Sequence, residues 1–293
     1  MVKASPLVTV ITPYRNAASW LPGLVENLQK QTYDHWECLL VDHWSTDVGP
    51  DLLNHLVADD SRFRCFAVPG VRDLNCPQGG PSVPRNIALK KAAGELICFL
   101  DVDDLWHPCK LERQVRMHVG ERLDLSVTAY YRWSWRTPVQ LRWICPPRRL
   151  TAWSWRWGNP IPMLTVMVSR EALRLLQQPN NALFESVHHE DYLFWLRLAH
   201  RMPSLRFGCI PEGLAIHRRF PSNLTAQRWR MPLWTFSVYR RMEWSSWMCW
   251  LSLLVWTIAH CVRLCQECLG CRRCRFSPET MLDSLPRGRQ ALF

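Results

Sequence analysis

Leu96-Ile97-Cys98-Phe99-Leu100-Asp101-Val102-Asp103-Asp104 is the stretch on which the fold turns. Five apolar residues give way to three carboxylates within four positions. A short, unbroken apolar run of this kind reads as a strand buried on both faces, the environment of a parallel sheet. Carboxylates so close together repel one another unless a cation or hydrogen bonds compensate. In an extended segment residues i and i+2 point the same way, so Asp101 and Asp103 can face one ion. A hard divalent cation such as Mg²⁺ uses one or two carboxylates and takes its other oxygens from phosphates and water. Taken alone, the cluster fits a solvated acidic loop equally well.

Three similar runs precede it, at residues 7–12, 37–41 and 63–68. Between them Trp20, Leu21, Leu24, Val25 and Leu28 fall at helical spacing, as do Leu52, Leu53, Leu56 and Val57 after Pro50. A Gly/Pro loop then leads into a helix carrying Ile87, Ala88 and Ala92. The alternation predicts an α/β fold with a mostly parallel central sheet and helices on both faces. In such sheets ligands bind beyond the carboxyl ends of the strands, where Asp42 and Asp101–Asp104 fall. The second half is less regular. It gives a strand at 164–168, helices at 170–177 and 191–199, and short strands at 205–210 and 214–217.

A chain of 293 residues with 48% hydrophobic and 21% charged residues is globular, with one or two domains. The net charge of +11 is divided unevenly: −4 over residues 1–112 and +15 over 113–293, where all 26 basic residues are Arg. Thirteen of the 17 Trp lie in the basic part. An acidic front implies a cation or nucleotide site, and an Arg/Trp-rich back implies an anionic or interfacial partner. Thirteen cysteines, an odd number and mostly scattered, read as free thiols in a reducing compartment. The N-terminal apolar run is too short for a signal peptide, so the expected place is the cytoplasm, peripheral on the cytoplasmic membrane face if the tail binds lipid. Residues 244–262 carry no Asp, Glu, Lys or Arg and hold four Trp. Their length leaves three placements open: lying on a membrane, packing on protein, or spanning. Cys265, Cys268, Cys271 and Cys274 recur every third residue, and no site is assigned to them.

Five segments occur in a telling order: Val8-Thr9-Val10-Ile11-Thr12-Pro13-Tyr14-Arg15-Asn16; Gln31-Thr32-Tyr33; Leu39-Leu40-Val41-Asp42-His43-Trp44-Ser45-Thr46-Asp47; Pro84-Arg85-Asn86-Ile87-Ala88-Leu89-Lys90-Lys91-Ala92-Ala93-Gly94-Glu95; and Phe99-Leu100-Asp101-Val102-Asp103-Asp104-Leu105-Trp106. Together they resemble the family-2 glycosyltransferases, inverting enzymes of the GT-A fold that use nucleotide-sugar donors. The resemblance is strong over residues 7–118, patchier to about residue 225, and absent from the tail. It implies a GT-A-like domain at 1–228, with a nucleotide-binding part at 7–118 and an acceptor part at 119–228, followed by a helical tail at 229–293.

The resemblance also implies roles. Pro13 and Asp42 would line the donor nucleotide, and Arg85 would approach the donor while Asn86 shapes the loop covering it. Asp101 and Asp103 would bind the nucleotide and an Mg²⁺ or Mn²⁺ ion, with Asp104 alongside. Where the family usually carries a second Asp and a Gly after the strand-end Asp, this chain has His43 and Trp44. Inversion needs a base for the acceptor hydroxyl proton. His188-His189-Glu190-Asp191-Tyr192 resembles the family's acidic pair at a helix start, with Asp191 as the base and Glu190 as the second choice. His217 and Arg218, ending a short strand, could meet the diphosphate or simply be solvated.

The partners implied are a nucleotide-sugar donor, a saccharide or lipid-linked acceptor, and a membrane surface through 244–262. There is no GxxxxGK[ST] phosphate loop, and no GxGxxG after the first strand. A donor-binding protein without turnover is the rival suggested by His43-Trp44. A basic nucleic-acid binder is another, but no binding fold of that class is legible, so no nucleic-acid partner is expected.

Overall fold

A computed structural model of the chain describes residues 5–70, 80–134, 141–150, 154, 158–176, 182–220, 231–242 and 244–268. The first strand, β1 (Val8–Tyr14), is buried at every position. It pairs in parallel with β2 (Trp36–Asp42) on one side and β4 (Leu96–Phe99) on the other, and β2 pairs in parallel with β3 (Phe63–Ala67). Because side chains alternate across a strand, each strand feeds two cores. Val8, Val10, Cys38, Leu40 and Cys98 pack on one face; Ile11, Leu39, Val41, Ile97 and Phe99 pack on the other.

Helices cover both faces. α1 (Leu21–Gln29), α2 (Gly49–Leu56) and α4 (Lys110–Glu121) bury Leu21, Leu24, Leu53 and Leu111 on the first face. α3 (Ser82–Lys91), α5 (Arg170–Leu176), α6 (Glu190–Arg201) and α7 (Met231–Arg241) lie on the second. Gly94 sits where α3 gives way to β4. A Cβ there would stand 2.5 Å from the Thr9 amide, so the turn closes on β1 only with glycine.

Beyond β4 the sheet becomes mixed. β5 (Leu105–Trp106), β6 (Leu125–Ser134), β7 (Arg142–Ile144), β8 (Met167–Ser169) and β9 (Phe207–Arg219) complete nine strands in the order β3-β2-β1-β4-β8-β6-β9-β5, with β7 paired to β6. β8 is antiparallel to both β4 and β6, whereas β6 and β9 run parallel. The sequence pattern does not predict β6, the ten-residue strand that organises this half. It also divides β9 in two. The structure carries β9 through Pro211 and Glu212 as an exposed irregularity, with register shifts opposite Thr128–Tyr131. Proline cannot donate to a ladder, and a bulge accommodates it.

The last described helix is α8 (Ser246–Cys268). Cys249, Ser252, Trp256 and Ala259 are buried, whereas Trp247, Leu251, Leu254, Ile258 and Val262 face outward, each between 48% and 67% exposed. The stripe legible in the sequence thus points away from the domain. Among the described residues no helix is long and apolar enough to cross a membrane. Cys271 and Cys274 lie outside the described residues, as do the side chains of Cys265 and Cys268.

Candidate active site

Register fixes the site. Tyr14 at the end of β1 pairs with Asp42, and Ile11 pairs with Phe99, so the chain past β4 delivers Asp101–Asp104 beside the carboxyl end of β1. A cleft of about 920 Å³ opens there. The parallel half contributes Pro13, Asn16, His43, Arg85, Asp101 and Asp103, and the second half contributes Met163, Glu190, Asp191 and His217.

Arg85 links the two sets. Its side chain is 3% exposed and reaches from α3 to donate through Nη2 to Asp101 Oδ1 at 2.9 Å and through Nη1 to Glu190 Oε1 at 2.7 Å. One guanidinium between two carboxylates leaves a net negative charge, and Asp191 adds to it. Burial, and then the neighbouring carboxylates, hold the Glu190 and Asp191 carboxyls above the ordinary carboxylate range, against the opposing pull of Arg85. Asp191 Oδ2 accepts from Asn159 Nδ2 at 2.7 Å, and its Oδ1 accepts from the Tyr192 amide at 2.8 Å. Both carboxylates occupy the first turn of α6, where free amides and the helix dipole favour negative charge. His189, just before them, has φ 59°, a left-handed conformation that costs free energy at a non-glycine residue.

The acidic loop is braced from β9. The Arg218 amide donates to Asp104 Oδ1 at 3.0 Å, and its Nε donates to the Asp103 carbonyl oxygen. The Arg218 guanidinium also lies 4.7 Å from the Trp20 ring centroid. Asp104 is buried, and burial together with Asp103 and Asp101 raises its carboxyl well above the usual range. His217 lines the cleft as a neutral imidazole at pH 7: burial, then Arg219 and Arg132, push it down to about 4. It can therefore meet an anion as a hydrogen-bond donor.

Asp42 shapes its own loop, its carboxylate accepting from the Ser45 amide at 3.1 and 3.2 Å. Asn16 (φ 47°) accepts from the Thr46 amide at 2.7 Å and so binds this loop to the end of β1. His43 lines the cleft, while Trp44 (φ 56°) turns away and donates to the Gly70 carbonyl at 3.0 Å. Asn86 clamps the backbone of Phe184 from both sides, donating to its carbonyl at 2.7 Å and accepting from its amide at 2.9 Å. It thereby fixes the segment that leads into His188–Asp191. Asp42, Asn86 and Arg218 thus stand behind the cleft wall, whereas Pro13, Arg85, Asp101, Asp103, Asp104, Glu190, Asp191 and His217 line it.

Among the described residues no three His, Cys, Asp or Glu side chains converge as a self-sufficient metal cage. The donor set suits a cation of the other kind, held by one or two carboxylates and completed by phosphate and water. Asp103 and Asp101 line the cleft, with Asp104 turned to the Arg218 amide.

Sequence reasoning does not find Asn159, nor the contribution of α7, whose Trp234, Ser237 and Arg241 line the same cleft. Asn159 carries no periodic signal. The α7 residues lie past residue 228, yet Val238 and Tyr239 are buried in the common core, and Tyr239 meets Tyr192 hydroxyl to hydroxyl at 3.1 Å. Their i, i+3, i+7 spacing was the available clue.

Residues 9–176 match the family model for glycosyl transferase family 2. Over 244 residues the chain is 31% identical to the putative teichuronic acid biosynthesis glycosyltransferase TuaG of Bacillus subtilis, covering 83% of this chain and 91% of that one. It is also 31% identical over 192 residues to the UDP-Glc:alpha-D-GlcNAc-diphosphoundecaprenol beta-1,3-glucosyltransferase WfgD of Escherichia coli, covering 66% and 69% of the two chains. Among solved structures, the mannosyltransferase PcManGT of Pyrobaculum calidifontis, in complex with GDP-Man and Mn²⁺, has the same fold, with a TM-score of 0.61 at 18% identity over 95% of this chain and 79% of that one.

Proposed function

The chain belongs to glycosyltransferase family 2 and has the GT-A fold, and from this we propose that it moves a sugar from a nucleotide-sugar donor to an acceptor hydroxyl in one inverting, divalent-cation-dependent displacement. The observation that carries the reading is Arg85. It joins the Asp101 end of β4 to the Glu190–Asp191 start of α6 within one cleft.

The nucleotide lies against Pro13 and the loop that Asp42 shapes, and Arg85 and Asp101 face the donor. Asp103, with Asp101, would hold Mg²⁺ or Mn²⁺, which supplies positive charge where negative charge builds on the departing nucleoside diphosphate. His217 donates a hydrogen bond to the same diphosphate, and Arg218 keeps the acidic loop in place from behind. Asp191 takes the proton of the acceptor hydroxyl as that oxygen attacks the anomeric carbon; the bond to the diphosphate breaks on the opposite face, which inverts the configuration. Glu190 is paired to Arg85, so Asp191 is the better placed base.

The names of relatives support the substrate classes. WfgD is named for a UDP-sugar donor and a diphosphoundecaprenol-linked acceptor, and TuaG for teichuronic acid biosynthesis. A lipid-linked saccharide is accordingly the proposed acceptor class.

Chelation tests the cation. EDTA should abolish turnover of the nucleotide sugar, Mn²⁺ or Mg²⁺ should restore it, and Asp103→Ala should lower it by on the order of 10²-fold. Turnover indifferent to EDTA would contradict the assignment. Membrane contact rests on the outward stripe of α8, with Arg240 and Arg241 before it in sequence and Arg263 after. Apolar and basic residues so combined suit an interfacial helix on anionic lipid. The chain should float with phosphatidylglycerol vesicles, and Leu251→Glu with Leu254→Glu should keep it at the bottom of the gradient. Equal flotation of both proteins would refute the contact.

A further inference from the structure

The displacement above leaves one wall of the cleft without a task. α7 lies between the cleft and α8: Trp234, Ser237 and Arg241 form its cleft-lining stripe, while Phe236 meets Trp250 of α8 at a ring-centroid distance of 4.6 Å. Thr235, Val238 and Tyr239 already fill the core side of the helix, so packing alone does not account for an indole on the cleft side.

That indole is held in place. His188 stacks on Trp234 at 4.3 Å with an interplanar angle of 17°, and His189 meets it edge-on at 5.6 Å. These two histidines immediately precede Glu190 and Asp191, so the platform adjoins the proposed base. Arg241 stands seven residues further along α7, about 10.5 Å up the axis on the same face. Its Nε donates to Glu185 Oε2 at 3.1 Å, and Glu185 also pairs with Arg197. One carboxylate between two guanidiniums leaves a net positive charge at this end of the cleft, and the Arg241 side chain is 43% exposed. Past Arg241 the chain turns into α8, whose outward stripe is apolar.

We propose that this face of α7 is the acceptor subsite, taking a pyranose ring against Trp234 and the diphosphate linking that sugar to a lipid at Arg241. The assignment rests on the proposed transfer reaction and on Asp191 as its base. Each part has its own chemistry. The C–H face of a sugar loses apolar surface to a rigid aromatic ring. A guanidinium offers a forked pair of donors to phosphate oxygens. The apolar chain then leaves toward α8. The order from Asp191 is sugar, phosphate, lipid, which is the order of groups in such an acceptor.

Binding to the full chain tests it, with two probes: the α-GlcNAc diphosphate ester of undecanol, and undecyl α-GlcNAc, which lacks phosphate. Titration calorimetry should show the diphosphate ester binding about tenfold more tightly, or better. Trp234→Ala should weaken both probes by about tenfold, and Trp234→Phe should restore most of that loss. Arg241→Gln should remove the advantage of the diphosphate while leaving the glycoside affinity unchanged. A wild-type chain with no preference for the diphosphate ester, or with no binding to either probe, overturns the proposal. So does an Arg241→Gln variant that weakens both probes alike, or full affinity in Trp234→Ala. Nucleotide-sugar hydrolysis by the wild-type chain without acceptor is followed in parallel. Its absence would count against the donor reading and not against this subsite.

Discussion

Asp191→Asn should lower turnover by about 10²- to 10⁴-fold while leaving donor affinity unchanged. Asparagine keeps the size of the side chain and can still accept from Asn159, but it cannot take the acceptor proton. The pH profile should carry the same signature. Burial holds the Asp191 and Glu190 carboxyls above the ordinary carboxylate range. A base must be ionised to act, so turnover should fall as pH drops through that raised value, at higher pH than an unperturbed aspartate would give. Steady-state rates across pH, with donor affinity by calorimetry, decide the matter. An active Asp191→Asn enzyme removes Asp191 from the reaction.

The second large effect is on stability. Arg85→Met leaves Asp101 and Glu190 without their shared cation and should cost about 3–5 kcal/mol, in the range for breaking a buried ion pair. Most of the cost falls on Glu190, whose side chain is 14% exposed, because Asp101 at 41% keeps much of its hydration. The sign with pH follows from linkage. Without Arg85 the folded-state value for Glu190 rises further above its unfolded value. The folded variant then binds the proton more tightly, so the contribution of Glu190 to its stability is greatest at low pH and is lost as pH rises through the raised value. Urea denaturation should therefore show a deficit against wild type that is largest at neutral pH and shrinks toward pH 4. Glu190→Gln in the Arg85→Met background should recover part of it. An Arg85→Met chain with the wild-type midpoint at neutral pH would mean that the triad is not coupled to folding.

The parallel half was legible because its signals are local. Val8–Tyr14, Trp36–Asp42 and Leu96–Phe99 are short, largely apolar and buried on both faces, as strands inside a parallel sheet are. Their registers then bring Asp42 and Asp101 to one edge. The second half resisted because its order comes from tertiary pairing. Leu125–Ser134 mixes Ser, Thr, Tyr and Arg and becomes a central strand only between β8 and β9. Asn159 acquires a role only through the carboxylate it meets, 32 positions later. His217 shows a third kind of gap: the sequence leaves it open between an anion contact and solvated charge, and only the fold sets it in the cleft wall beside Arg219 and Arg132.

The charge division of the sequence also takes a physical form. The carboxylates of the front half gather at strand ends around Arg85, where a cation and a diphosphate would offset them. In the back half, Arg218 braces the acidic loop from behind, and Arg241 lines the cleft on its own side.

Stereochemistry tests the central claim most directly. A nucleotide sugar with an α-linked anomeric carbon is incubated with the enzyme, Mn²⁺ and a lipid-diphosphate saccharide, and the anomeric proton of the new linkage is read by NMR. A β-linked product, formed with the cation and lost in Asp191→Asn, is the result expected. An α-linked product, or no transfer from any donor of a full nucleotide-sugar panel, would contradict inverting transfer at this site.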